Sequence, residues 1–132
     1  MIQHEEIIDL ISSDDVNLST QTLLEHLSDD VEYFVLANRP DLPIVRHFRG
    51  KEMVTEYLSI LPQLYEIASR TVGRIVHDGP YLVAFGRDLA MIYPSKTLIV
   101  SDWILTLLVQ AGKICRMQYV FHSMKDAPSA SA

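Results

Sequence analysis

The chain of 132 residues has a single cysteine, Cys115, so no intrachain disulfide can form and paired Cys/His metal spacing is missing. Cys115 lies in an apolar stretch and reads as an inert thiol. Basic runs are missing too: the net charge is −6, without the cationic footprint that nucleic-acid binding needs. No apolar run reaches the ~20 residues that span a bilayer. The first residues, Met1 to Glu6, lack the basic segment of a secretory signal. The expectation is therefore cytoplasmic residence, with neither nucleic acid nor membrane as partner. Glycine is sparse, at five residues, and none forms a phosphate-cradling loop. No metal or organic cofactor is expected.

Apolar residues, by contrast, are plentiful at 48%, enough for one domain with a real core. The stretch from Leu64 to Ser123 reads as four consecutive strands. Val72, Ile75 and Val76 belong to a β-branched run that ends at the turn His77-Asp78-Gly79-Pro80. Tyr81 to Tyr93 follows and ends at Pro94-Ser95-Lys96. Thr97 to Gln110 is next, then the turn Ala111-Gly112-Lys113, then Ile114 to Ser123. Short connections make these neighbours antiparallel. Gly73 and Gly86 are expected to mark bends or bulges in a curved sheet.

Before this meander the pattern is helical. Ile7, Ile8 and Ile11 form a stripe over His4 to Ser12. Asn17 or Ser19 caps a second helix over Thr20 to Leu27. Val31 to Leu36 reads as a short strand, and Ala37 to Arg49 as a mobile loop lining a cavity entrance. Met53, Val54, Tyr57, Leu58 and Leu61 share one face of a third helix that Pro62 stops. The order predicts an α+β fold: a cone-shaped roll of N-terminal helices on a curved, mostly antiparallel sheet. Residues 1–123 form the domain and 124–132 a flexible tail. A cone with a blind end suits a small apolar ligand.

The third strand of the meander is apolar on both faces. Ile99, Trp103, Leu105, Leu107 and Val109 take one parity; Leu98, Val100, Ile104 and Leu108 take the other. A strand with one wet face should alternate. Helices cover only one side, so a homodimer through the sheet is expected; a loop folded across that face is the alternative.

Leu27-Ser28-Asp29-Asp30-Val31, Phe48-Arg49-Gly50-Lys51-Glu52, and Gly112-Lys113-Ile114 before a strand carrying Tyr119 resemble the superfamily of nuclear transport factor 2-like proteins. It includes ketosteroid isomerases and SnoaL-type polyketide cyclases, so the resemblance implies a cystatin-like cone. The fold hosts enzymes, transport factors and dimerisation modules alike. Known catalytic sets transfer incompletely. The base of a ketosteroid isomerase would fall near Val35, its tyrosine near Asp9, and its protonated aspartate near Ile104, two residues past Asp102. The last strand ends Tyr119-Val120-Phe121-His122, without the carboxylate that SnoaL-type cyclases tend to carry.

Asp102 is the most informative polar residue, because an ionisable side chain in an apolar strand must be paired or protonated. As a general acid or base it would face the cavity with a raised pKa. Structurally, a two-residue hairpin loop places Arg87 opposite it as an ion pair; a three-residue loop places Asp88 there instead. Tyr33 and Tyr119 either point hydroxyls at a substrate carbonyl or simply pack in the core. His47 and Arg46 are expected at the cavity entrance, with His47 a possible proton shuttle. His77 and His122 carry no assigned role. Two functions follow: a cofactor-independent isomerase, cyclase or dehydratase acting on an apolar carbonyl compound, with Asp102, Tyr119, Tyr33 and Arg87 in the site, or a non-catalytic dimeric module that binds a ligand or a partner protein.

Overall fold

The computed structural model of the protein describes residues 7, 9, 21–37 and 45–127. Its frame is one six-stranded sheet in the order β2-β1-β6-β5-β4-β3. The strands are β1 (Leu27–Ala37), β2 (Val45–Arg49), β3 (Tyr65–Asp78), β4 (Tyr81–Ile92), β5 (Thr97–Gln110) and β6 (Lys113–Asp126). All neighbours are antiparallel except β1 and β6, which run parallel. The α+β cone expected from the sequence is therefore present.

The meander is held by its turns. Ala111 (φ 52°) and Gly112 (φ 71°) both take positive φ, which gives the tight two-residue hairpin between Gln110 and Lys113 the twist its strands need. The β4–β5 hairpin places Arg87 opposite Asp102 and Asp88 opposite Ser101, the ion-pair register of the two weighed. Register shifts lie between Ile67 and Ser69 and between Val72 and Arg74 in β3, so Gly73 does sit at a bulge. Gly86 has a different purpose. Its register with Trp103 is regular, and a Cβ there would overlap the Trp103 indole ring.

Helix α1 (Lys51–Ile60) buries Val54 and Leu58, and a 3-10 turn over Leu61–Gln63 takes Pro62 at its start. The core lies between α1 and one face of the sheet, around Trp103, Leu105, Leu107, Tyr33 and Ile114. Ile7 is helical and buried in this same cluster. Residues 21–24 are helical, but Leu27, expected at that helix's end, opens β1. Asp9 is helical too and exposed; the other residues of the first expected helix, and the expected caps Asn17 and Ser19 of the second, lie outside the described residues.

Two expectations need correction. The loop expected over Ala37 to Arg49 ends in a strand: Val45–Arg49 pairs with Glu32 to Leu36 of β1. The prolines and charges masked a segment whose alternating residues complete a sheet edge; residues 38–44 lie outside the description. At the other end, β6 runs on through Met124, Lys125 and Asp126, which pair with Ser101, Val100 and Ile99. The long β5 offers backbone partners past Ser123, so these residues are not tail.

Candidate functional site

Strand parity decides which side chains see the cone. On β5 the odd residues Ile99, Ser101, Trp103, Leu105 and Leu107 are buried. On β4 the even residues Leu82, Ala84, Asp88, Ala90 and Ile92 are buried. Tyr33 and Val35 of β1, and Met117 and Tyr119 of β6, face the same interior. The buried residues of β4 and β5 form the core beneath, while those of β1 and β6, with α1 and the first half of β3, line an open cavity of about 980 Å³, ample for a small organic molecule. Its walls are largely apolar and aromatic, with Tyr57, Leu58, Ile67 and Phe121 among them.

One polar group at the wall is held with unusual care. Arg70 of β3 lines the cavity with its side chain 13% exposed. Its Nε donates to Asp88 Oδ1 at 2.8 Å and its Nη2 to Oδ2 at 2.9 Å. Asp88 is fully buried. The Tyr65 hydroxyl donates to its Oδ2 at 3.0 Å, and Trp103 Nε1 donates to Oδ1 at 2.9 Å. A buried carboxylate is tolerable only when its lone pairs are met by donors, and here both oxygens are met twice. The Arg70 carbon Cζ lies 4.8 Å from the centre of the Trp103 ring, which stacks the guanidinium against a flat wall. The guanidinium fork is thus fixed at Nε and Nη2, and its remaining N–H groups are not consumed by Asp88.

Tyr119 stands beside this fork. Its ring meets Trp103 edge-on at 5.6 Å and stacks on Phe121 at 5.7 Å. Tyr33 lies 6.4 Å from Tyr119 and 5.5 Å from Tyr57. Burial pushes the pKa of both Tyr33 and Tyr119 up; in Tyr119 the nearby positive charge of Arg70 pulls the other way. Both hydroxyls are therefore protonated donors at neutral pH. Burial opposes the charge on Arg70, yet Tyr119, Asp88 and Tyr65 outweigh it and its pKa stands above the usual guanidinium value. The result is a cluster of hydrogen-bond donors in an apolar cavity, suited to an uncharged oxygen on which negative charge develops.

Of the residues singled out from the sequence, Tyr33, Tyr119 and Arg46 line this cavity. Asp102 and Arg87 do not. They pair on the opposite face of the sheet, Arg87 Nε to Asp102 Oδ1 at 2.6 Å, with side chains 26% and 65% exposed for Asp102 and Arg87 respectively. The Arg87 hydrogen bond lowers the Asp102 pKa, the reverse of the raised value expected of a cavity acid. The physical reason is parity: Trp103 and Ser101 point inward, so Asp102 between them points out. His47 is likewise outside. It pairs with Phe34 on β1, stacks on that ring at 4.3 Å and contacts Glu32 Oε2 at 3.0 Å. Arg46, one residue earlier and opposite Val35, shares the inner face.

Arg70, Asp88, Tyr65 and Trp103 are the residues that sequence reasoning missed. A signal existed. Asp88 has the parity of Leu82, Ala84, Ala90 and Ile92 in a strand whose other face carries Tyr81, Arg87 and Met91. Among the lining residues described, Glu66 is the one carboxylate; it accepts a hydrogen bond from the Tyr93 hydroxyl at 3.2 Å in an exposed position. No cluster able to hold a metal ion is found among the described residues, and none of their helices is long and apolar enough to cross a membrane.

No family model and no curated protein matches the chain. Solved structures do. A nuclear transport factor 2-like protein from Burkholderia xenovorans superposes with a TM-score of 0.71 at 13% identity, covering 95% of this chain and 93% of that one. A protein provisionally assigned as a SnoaL-like polyketide cyclase, from Mesorhizobium loti, gives 0.71 at 14% identity over 87% and 92%. A provisionally assigned isomerase from Bacillus subtilis gives 0.70 at 12% identity over 91% and 88%. At these identities the likeness is one of fold.

Proposed function

This chain has the nuclear transport factor 2-like fold, and we propose that its cone binds a small, apolar carbonyl compound and polarises it for acid/base chemistry. The observation that carries this reading is the Arg70–Asp88 pair: a fully buried carboxylate fixes a guanidinium at the wall of an apolar cavity beside Tyr119. A carbonyl oxygen seated there meets charged and neutral donors in a medium of low dielectric, where such contacts are strongest. When the proton on the carbon next to the carbonyl passes to a base, Glu66 being the carboxylate among the described lining residues, the enolate left behind is stabilised more than the ketone, which is how binding becomes catalysis. Isomerisation, cyclisation and dehydration all pass through such species without needing a cofactor. The resemblance to provisionally assigned cyclases and isomerases supports this class.

The second reading, a ligand-binding protein without catalysis, is favoured by one feature: the lining carboxylate, Glu66, is exposed and engaged with Tyr93. Deuterium exchange separates the two. With 2-decanone in heavy water, an enzyme of this kind speeds exchange of the protons next to the carbonyl, and Arg70→Lys loses the effect. Binding without accelerated exchange favours the second reading. Failure of any apolar ketone to bind removes both.

A further inference from the structure

Among the described residues two arginines line the cavity, and they differ in one respect. Arg70 is neutralised by Asp88, through both carboxylate oxygens. Arg46 has no ion pair among the described residues, and it is exposed. The two sit on opposite edges of the sheet order, Arg46 on β2 and Arg70 on β3. Register fixes where Arg46 points: it lies opposite Val35, whose side chain faces the interior with Tyr33. Its charge also reaches the Tyr57 hydroxyl on α1, where it works against the upward push of burial. Among the described lining residues the carboxylate is Glu66, on β3, at the far edge of the sheet from Arg46.

This asymmetry dictates how charge on a ligand would be received. A ligand carboxylate, already ionised in water, would lose its whole hydration shell to reach Arg70, whose charge Asp88 already balances; an enolate differs, because its charge develops on a ketone that entered neutral and is met there by fixed donors. An uncharged carbonyl oxygen there adds no net charge and still accepts hydrogen bonds. An anion beside Arg46 keeps part of its hydration and gains an opposite charge.

Resting on the reading of the cone as a carbonyl-binding site, we propose that its ligands are amphipathic acids: an apolar skeleton with an uncharged carbonyl seated at Arg70 and an ionised carboxylate held at the mouth by Arg46. Arg46 is then a specificity-determining residue and touches no reacting atom.

The test uses 9-oxodecanoate, its methyl ester and decanoate as probes on the full chain. Trp103 is the only tryptophan and stacks on Arg70, so its fluorescence reports occupancy at the carbonyl end. The expected result is that 9-oxodecanoate binds up to about fivefold tighter than its methyl ester, the upper end for an exposed ion pair, and tighter than decanoate, which lacks the ketone. Arg46→Gln then reduces the affinity for 9-oxodecanoate to that of the ester, and added salt weakens the acid alone. An ester that binds as well as the acid overturns the charge placement while leaving the carbonyl site intact. An acid preference that survives Arg46→Gln and disappears in Arg70→Lys puts the anion at the wrong end and overturns it as well. If no probe binds the native protein, the carbonyl reading fails and takes this inference with it.

Discussion

Asp88 and Asp102 each meet an arginine on a neighbouring strand, and their surroundings make them different residues. Asp88 is sealed from water and answers four donors; Asp102 stands on the outer face opposite a mostly exposed arginine. Removing one partner of a sealed pair strands the other charge. Asp88→Asn or Arg70→Met should therefore each cost about 3–5 kcal/mol in urea unfolding, and the double variant should cost less than their sum. Asp102→Asn should shift the melting temperature little, because solvent and salt already screen its pair. Additive losses at Arg70 and Asp88 would show that the network is not cooperative. The buried tyrosines add a pH dependence. Tyr33 and Tyr119 hold their protons above the ordinary value of 10.0, whereas the unfolded chain gives them up there. Their contribution is complete below pH 10 and declines as pH rises through their folded values. Stability should fall on that alkaline side, and Tyr119→Phe should flatten the fall.

At the scale of elements, the meander was legible because turn chemistry punctuates it. Thr97 to Gln110 emerges from the sequence with the bounds that β5 has, and Arg87 stands opposite Asp102 as the two-residue register requires, although the turn itself spans four residues, Tyr93 to Lys96. What stayed hidden was which face of β5 looks inward. Its two parities are both apolar, so hydrophobicity cannot choose between them, and an isolated carboxylate such as Asp102 fits either a cavity acid or an ion pair with Arg87 on that pattern alone. β4 resolves the choice: its small and aliphatic even residues share a face with Asp88. β2 was illegible for another reason, since Val45–Arg49 is a short edge strand carrying three basic side chains and earns its place through pairing with β1. Gly86 illustrates a packing need that composition cannot display. It reads as a bend, yet it clears space for the Trp103 ring that supports Arg70. Gly86→Ala should cost about 1–3 kcal/mol in thermal or chemical melts, as overpacking does. It should also alter Trp103 fluorescence. A neutral substitution would mean that the indole lies elsewhere.

At the scale of the whole molecule, the sheet has two unlike faces. The concave face holds the core and the cavity. The other carries Tyr81, Phe85 and Leu98, which are 45%, 38% and 37% exposed, with half-buried Val83, Val100, Ile104 and Leu108 beside them. The described helical residues Ile7, Val54 and Leu58 all pack on the concave side. A second copy laid on the outer face is the expected cover, since a stable interface needs about 800 Å² per partner and two-fold pairing uses one surface twice. Sedimentation equilibrium at micromolar concentration should give about twice the chain mass of 15.0 kDa, and Phe85→Glu should return it to one. A native monomer would contradict the expectation.

The central claim is that Arg70, fixed by Asp88, polarises a carbonyl oxygen inside the cone. The most direct measurement is the carbon-13 resonance of a labelled ketone carbonyl, such as that of 2-decanone, when bound. Hydrogen bonding to a cation draws electron density from the carbonyl carbon. The account predicts a downfield shift relative to the same ketone in an apolar solvent, much reduced in Arg70→Lys and partly reduced in Tyr119→Phe. A bound ketone whose resonance matches the apolar solvent, or whose shift survives the loss of Arg70, would contradict it.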